Sequence, residues 1–291
     1  MSDGLVVVLG AGAAGFGVIF GSFLNALLFR FNTGKGMGGR SRCMRCNHTL
    51  SAFDLVPILS YAYLGGRCRY CGTAISWQYP LVEALAGVVS LGIFFLYPTQ
   101  PMLYGFWLLV WLTILFIVVY DARHMIIPWS SSLLLLFLSV VSFVLHPVAA
   151  VDLSAGVLLA LPLFLLSLVS RGRWMGWADS LLELSLGNIL GLSLGGTALL
   201  LGVWSGALVG LVLIALQRLT PMFGSHKTTE RFTIRSEIPF GPYLALGAAI
   251  AFFLPCRPLL HYLVVLTQGL PRGRVASVRG SLSSSCSWLW R

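Results

Sequence analysis

The sequence predicts an all-α polytopic membrane protein of about eight transmembrane helices, with one cytosolic polar loop after the first. Three observations predict it. Hydrophobic residues make up 57% of the 291 positions and charged residues only 10%, with a mean hydropathy of +0.89, whereas a soluble domain keeps roughly a quarter of its residues charged. The apolar residues fall in runs of spanning length, which needs roughly 20 residues in a row. The basic residues fall between those runs, and on one side only.

The first run, Leu5–Phe31, follows a start with no basic stretch and no clear cleavage site, so it reads as a retained helix rather than a signal peptide. The next runs are Pro80–Tyr97, Met102–Tyr120, Ser131–His146 and Leu153–Ser170. The last three are Asp179–Ser193, Gly195–Leu216 and Gly241–Leu266, the final one interrupted by Pro255. With the N-terminus outside, the alternate connections carry fourteen basic residues, from Arg30 through Arg235. The opposite connections, Tyr97–Gln100, Pro147–Asp152 and a turn at Leu194, carry none. That asymmetry places the basic connections in the cytosol. The tail departs from it, with Arg272, Arg274, Arg279 and Arg291 on the outer side. The excess of basic residues therefore serves orientation, and no nucleic-acid partner is expected. The domains are residues 1–31, the first transmembrane helix; 32–79, a cytosolic loop; 80–268, a membrane domain; and 269–291, a basic, serine-rich tail.

Residues Val6–Gly17, VVVLGAGAAGFG, match a dinucleotide fingerprint formally at Gly10, Gly12 and Gly15. The fingerprint also needs a ribose-binding acid about 20 residues on, inside a strand–helix unit. Arg30 and Lys35 stand there, and the apolar run continues through Leu28. Small residues that let helices approach in lipid, Gly17 and Gly21 among them, explain the glycines better.

The loop holds Cys43-Met-Arg-Cys46 and Cys68-Arg-Tyr-Cys71, with 21 residues between the pairs. Two such pairs bring four thiolates to one tetrahedron, the closed arrangement of structural Zn²⁺. Two disulfides are the alternative, and they require an oxidising compartment, which the seven basic residues from Arg30 to Arg69 argue against. His48 reads as a surface residue, and Cys256 and Cys286 fit no pattern.

Four acids lie in or beside apolar runs: Glu83, Asp121, Asp179 and Glu183. An ionisable group there is costly and invites a functional reading. Asp121 ends the third run and Asp179 begins the sixth, 58 residues later, so both meet the same cytosolic face. Two carboxyls at one depth could share a proton, one acting as general base on a water while the other polarises a carbonyl. The alternatives are a helix cap for Asp179 and a solvated boundary residue for Asp121. Glu183, one turn beyond Asp179, is a rival partner, and Glu83 could be a structural hydrogen-bonding group.

These motifs together resemble those of bacterial prepilin peptidases, aspartic proteases of the GxGD group. The likeness runs from about Gly21 to Tyr243. It rests on GSFLNALLFR at Gly21–Arg30, the two cysteine pairs, LVPILSYAYLGGRC between them and QYPLVE at Gln78–Glu83. Asp121-Ala-Arg-His-Met-Ile-Ile-Pro128, Met175-Gly-Trp-Ala-Asp179 and IPFGPYLA at Ile238–Ala245 complete it. The resemblance implies a bifunctional enzyme of the bacterial inner membrane. It would cut the basic leader from prepilins and pseudopilins after a glycine, with Asp121 and Asp179 as catalytic residues. It would then N-methylate the new terminus with S-adenosylmethionine, and Cys43, Cys46, Cys68 and Cys71 would bind zinc in the methylation-associated loop. Three positions depart from the family: Ala178 stands for the second glycine of GxGD, Leu181 for a lysine, and Trp129 for an aspartate. The alternatives are a catalytically weakened relative, a protease without methylation, and a polytopic transporter or assembly protein.

Overall fold

The structure is a computed structural model and describes residues 3–33, 39–145, 154–173, 175–219 and 239–254. Its regular elements among the described residues are all helical, and the cysteine loop adds turns and two isolated antiparallel bridges. The helices are α1 (Asp3–Arg30), α2 (Leu59–Tyr63), α3 (Gln78–Leu96), α4 (Pro101–His124), α5 (Trp129–Leu145), α6 (Ala155–Ser170), α7 (Trp177–Leu219) and α8 (Gly241–Phe253). A 3-10 turn at Ala52–Leu55 precedes α2.

Among the described residues, four helices are long and apolar enough to cross a bilayer: Gly4–Arg30, Gln78–Leu96, Pro101–His124 and Trp177–Ala215. Trp129–Leu145, Ala155–Ser170 and Gly241–Phe253 are apolar but shorter. The sixth and seventh expected runs lie within α7. Its break falls at Gly191 (φ 73°, ψ −179°) rather than at the expected Leu194 turn, because glycine alone enters that region without strain. The expected tail, the run beyond Leu254, Cys256 and Cys286 lie outside the described residues, as does the basic connection 220–238.

The chain divides into two compact units, Met1–Leu138 and Ser139–Arg291, the division falling inside α5. In the first unit α1 runs along α3, and α4 packs against both. The approach of α1 to α3 is close because Gly17 and Gly21 sit at the contact: a Cβ on Gly21 would lie 2.8 Å from both Ala86 Cβ and Glu83 Cα, and one on Gly17 would overlap the Ala86 carbonyl. Ser90 Oγ donates to the Ala13 carbonyl at 2.5 Å and fixes the register. A Cβ on Gly12 or Gly15 would meet no facing atom within 4 Å among the described residues. The glycine run lies inside α1, whose backbone groups bond to their own helix, so it offers no loop of free N–H groups to a phosphate.

In the second unit α7 packs against α6 and α8. Gly156, Gly187, Gly202 and Gly247 sit where a side chain would meet the facing helix. Such small-residue seams let helices join in lipid, where burial of apolar surface supplies no driving force.

Candidate functional site

The cysteine loop is built from two copies of one turn. In the first, the Cys43 N–H donates to the His48 carbonyl and the Asn47 N–H to the Cys43 carbonyl, both at 3.0 Å. In the second, the Cys68 N–H donates to the Thr73 carbonyl at 2.8 Å and the Gly72 N–H to the Cys68 carbonyl at 2.9 Å. Arg42 bridges Thr49, and Arg67 bridges Ala74. The residue after each second cysteine, Asn47 (φ 59°) and Gly72 (φ 69°), is left-handed, the conformation that asparagine and glycine enter most readily. The two turns are thus a repeat offset by 25 residues. The repeat is faint in sequence, because only the cysteines and the preceding arginine recur; the backbone pattern carries the rest.

Facing each other, the two turns bring the four sulfurs within 4.8 Å of one another. Cys43 Sγ and Cys71 Sγ are 3.8 Å apart, far beyond a disulfide's roughly 2.05 Å, and all four cysteines are unbridged. A tetrahedron of sulfurs at about 2.3 Å from zinc has edges of about 3.8 Å. The set therefore fits a four-thiolate metal ion.

The thiols compete for ionisation in the absence of a cation. Hydrogen bonds with the Thr73 hydroxyl and backbone pull Cys71 down to about 6, and backbone N–H groups of Cys46 and Arg45 lower Cys43. At Cys46 the backbone bond at His48 acts downward, yet desolvation and the sulfurs of Cys43 and Cys71 outweigh it and push the thiol up to about 11. A bound dication ends that competition, since each ligand must give up its proton.

Two further residues hold the loop, and composition alone did not single them out. Asp54 accepts from the Ser51 N–H (3.0 Å), the Ser51 hydroxyl (2.8 Å) and the Tyr70 hydroxyl (3.1 Å), and pairs with Arg69 Nε at 2.7 Å. Desolvation works against its charge, but the Ser51, Tyr70 and Arg69 contacts prevail and hold the carboxyl below its ordinary range. His48 is exposed as expected, yet its ring lies 3.7 Å from that of Tyr70 and joins the two turns. The signal available in sequence was Asp54's position as the one acid between residues 4 and 82.

Glu83 proves to be a hydrogen-bonding anchor. Its Oε2 accepts from the Ile58 N–H at 2.8 Å. Ile58 has φ 61° and ψ −51°, and the Leu59 N–H donates to the Pro57 carbonyl at 2.6 Å. That is a γ-turn of the strained kind, costly for a β-branched residue. The Glu83 carboxylate offsets part of the strain and fastens the loop to α3.

The two aspartates stand in different units. Asp121, in the last turn of α4, is only 4% exposed, so it is not a solvated boundary residue. The helix continues past it to His124 and ends on left-handed Met125 (φ 52°), whose N–H donates to the Asp121 carbonyl at 2.7 Å. Asp179, third residue of α7, is 8% exposed. Its Oδ2 accepts from the Gly176 N–H at 3.1 Å, the reach of a third-position carboxylate back to the residue ahead of a helix. That bond fixes the carboxyl's orientation. A hairpin places it: α6 ends on left-handed Arg171, and Trp177 returns to pack on Phe164, ring centroids 5.6 Å apart. Ala178 is helical and has no positive φ, so the extra methyl at the family's glycine position brings no backbone strain. Glu183 is 1% exposed, and its Oε1 has no hydrogen-bond partner among the described residues.

Residues 16–97 match the family model described as the Bacterial Peptidase A24 N-terminal domain. Proteins named prepilin leader peptidase/N-methyltransferase are similar over most of the chain. The one from Aeromonas salmonicida is 34% identical over 222 residues, covering 73% of this chain and 70% of the relative. Those from Burkholderia pseudomallei (33%, covering 74% and 67%) and Pseudomonas aeruginosa (32%, covering 72% and 70%) are similar too. No solved structure matches.

Proposed function

The chain belongs to the prepilin leader peptidase/N-methyltransferase family, and from that premise we propose that it removes the leader of prepilins or pseudopilins through Asp121 and Asp179. The observation that carries the reading is the burial of both aspartates at helix ends (4% and 8% exposed), inside segments that carry the family motifs. The positive-inside pattern puts both ends at the cytosolic face of the inner membrane, where a prepilin leader lies. There one carboxylate takes a proton from water as that water attacks the carbonyl carbon of the leader's last glycine. The other, protonated, donates a hydrogen bond to the carbonyl oxygen and then its proton to the departing amine. The strain-free fit of Ala178 supports an active enzyme over a weakened one.

Cys43, Cys46, Cys68 and Cys71 would hold one zinc ion, which supplies closure of the loop and no open coordination position for chemistry. N-methylation of the new terminus, with S-adenosylmethionine as donor, follows from the relatives' name and the resemblance alone. The glycine run inside α1 does not fit that donor, and no step is assigned to it.

The test is incubation of the purified enzyme with a prepilin peptide, with and without S-adenosylmethionine, read by mass spectrometry. Asp121→Asn and Asp179→Asn are each expected to lower leader removal by about a thousandfold or more while the protein stays folded. Normal cleavage by either single variant defeats the dyad.

A further inference from the structure

The cysteine loop exposes large apolar side chains that a water-facing loop would bury. Phe53 is 79%, Leu59 68%, Tyr63 83% and Trp77 77% exposed, all within a 25-residue stretch that includes α2. Two contacts fix where this surface stands relative to the spanning helices. The Ile58 N–H donates to Glu83, the sixth residue of α3, which at 1.5 Å per residue lies about 7.5 Å along that helix. The Tyr61 ring lies 5.4 Å from that of Trp77, the residue just before α3. Thus the start of α2 is tied to the beginning of α3, at the level where the apolar run begins. That is the depth at which tryptophan and tyrosine collect in membrane proteins.

The charge of the loop points the same way. Arg40, Arg42, Arg45 and Arg67 are exposed and make no ion pair among the described residues. The single acid of the segment, Asp54, is already matched by Arg69. Exposed arginines beside exposed aromatics, on a loop held to the membrane at both ends, complement an anionic bilayer surface.

We propose that the cysteine loop is a lipid-binding face. Phe53, Leu59, Tyr63 and Trp77 enter the boundary between headgroups and acyl chains, and the four arginines take the phosphates of anionic phospholipids. The metal-holding turns then lie flat on the membrane, beside the point where spanning helices emerge. This reading is independent of the peptidase assignment.

A photo-crosslinking phenylalanine analogue placed at Tyr63 or at Trp77 tests it. The full chain, checked for an unchanged thermal midpoint, goes into nanodiscs of phosphatidylcholine with one part in three phosphatidylglycerol, and adducts are identified by mass spectrometry. Phospholipid adducts at both positions are expected, enriched in phosphatidylglycerol beyond its mole fraction. The ratio of phosphatidylglycerol to phosphatidylcholine adducts should fall by up to about fivefold for each of Arg42→Gln and Arg45→Gln, and fall as well on raising salt. Adducts to a second copy or to other protein segments in place of lipid overturn the proposal. So do lipid adducts with no anionic preference, and the absence of lipid adducts at either position.

Discussion

Alanine at Gly21 should push α1 off α3, and the size of the effect follows from the contact. The new Cβ would stand 2.8 Å from Ala86 Cβ and from Glu83 Cα, and 3.1 Å from the Val82 carbonyl oxygen. Carbon atoms settle about 3.5–4.0 Å apart, so the helices must separate by about 0.7 Å or more. They cannot pivot to do so, because one turn away Gly17 meets the Ala86 carbonyl and Ser90 Cβ more closely still. Overpacking of this kind costs about 1–3 kcal/mol, against a helix-propensity gain of about 1 kcal/mol for alanine over glycine. Gly17→Ala should therefore lower stability by about 1–2 kcal/mol net and Gly21→Ala by somewhat less. Gly12→Ala and Gly15→Ala, with nothing within 4 Å, should be neutral or stabilising. Thermal unfolding of the full chain in detergent, followed by circular dichroism, reads all four. If Gly12→Ala lowers the midpoint as far as Gly17→Ala does, the packing account is refuted and the glycine run serves something else.

Other outcomes follow from the loop and from α7. Elemental analysis should find about one zinc per chain, lost in the Cys43→Ser, Cys46→Ser double variant; zinc retained by that variant defeats the four-thiolate assignment. Asp54 has its folded value below the ordinary 3.8, so its contribution is complete above that value and disappears as pH falls through the depressed one. The protection of the Ser51 amide relative to its intrinsic exchange rate should accordingly fall only below about pH 4, and Asp54→Asn should lower that protection at pH 7 by about tenfold. Unchanged exchange in that variant would count against the Asp54 network. Glu183→Leu should raise the unfolding midpoint, because it removes a buried oxygen that lacks a partner, worth about 1–3 kcal/mol. A lowered midpoint would show that Glu183 is satisfied and structural.

The helices were legible wherever apolar side chains meet lipid, since hydropathy reports the solvent. It reports backbone hydrogen bonds less well. The third run was expected to end at Tyr120, but α4 continues to His124, because polar Asp121, Arg123 and His124 stop the apolar signal and not the helix. The Leu194 turn was misplaced for a related reason: three glycines, Gly191, Gly195 and Gly196, share that stretch, and composition does not say which one leaves the helical region. At the site, the cysteine quartet was legible because metal-ligand spacing is local in each pair. The Glu83–Ile58 bond joins residues 25 apart through one backbone amide, and no residue type announces such a partner. The burial of Glu183 was equally silent, since its four-residue spacing from Asp179 invites a partnership as readily as a solvated face.

The duplicated turn also bears on how the chain is made. Each half contributes two sulfurs, so a growing polypeptide has no complete ligand set until residue 71 has left the ribosome, by which time α1 has long since emerged. Capture of a cation by the four cysteines would then close a hairpin whose two ends lead into α1 and α3. Metal supply during translation would thereby influence how promptly the second spanning segment finds the first.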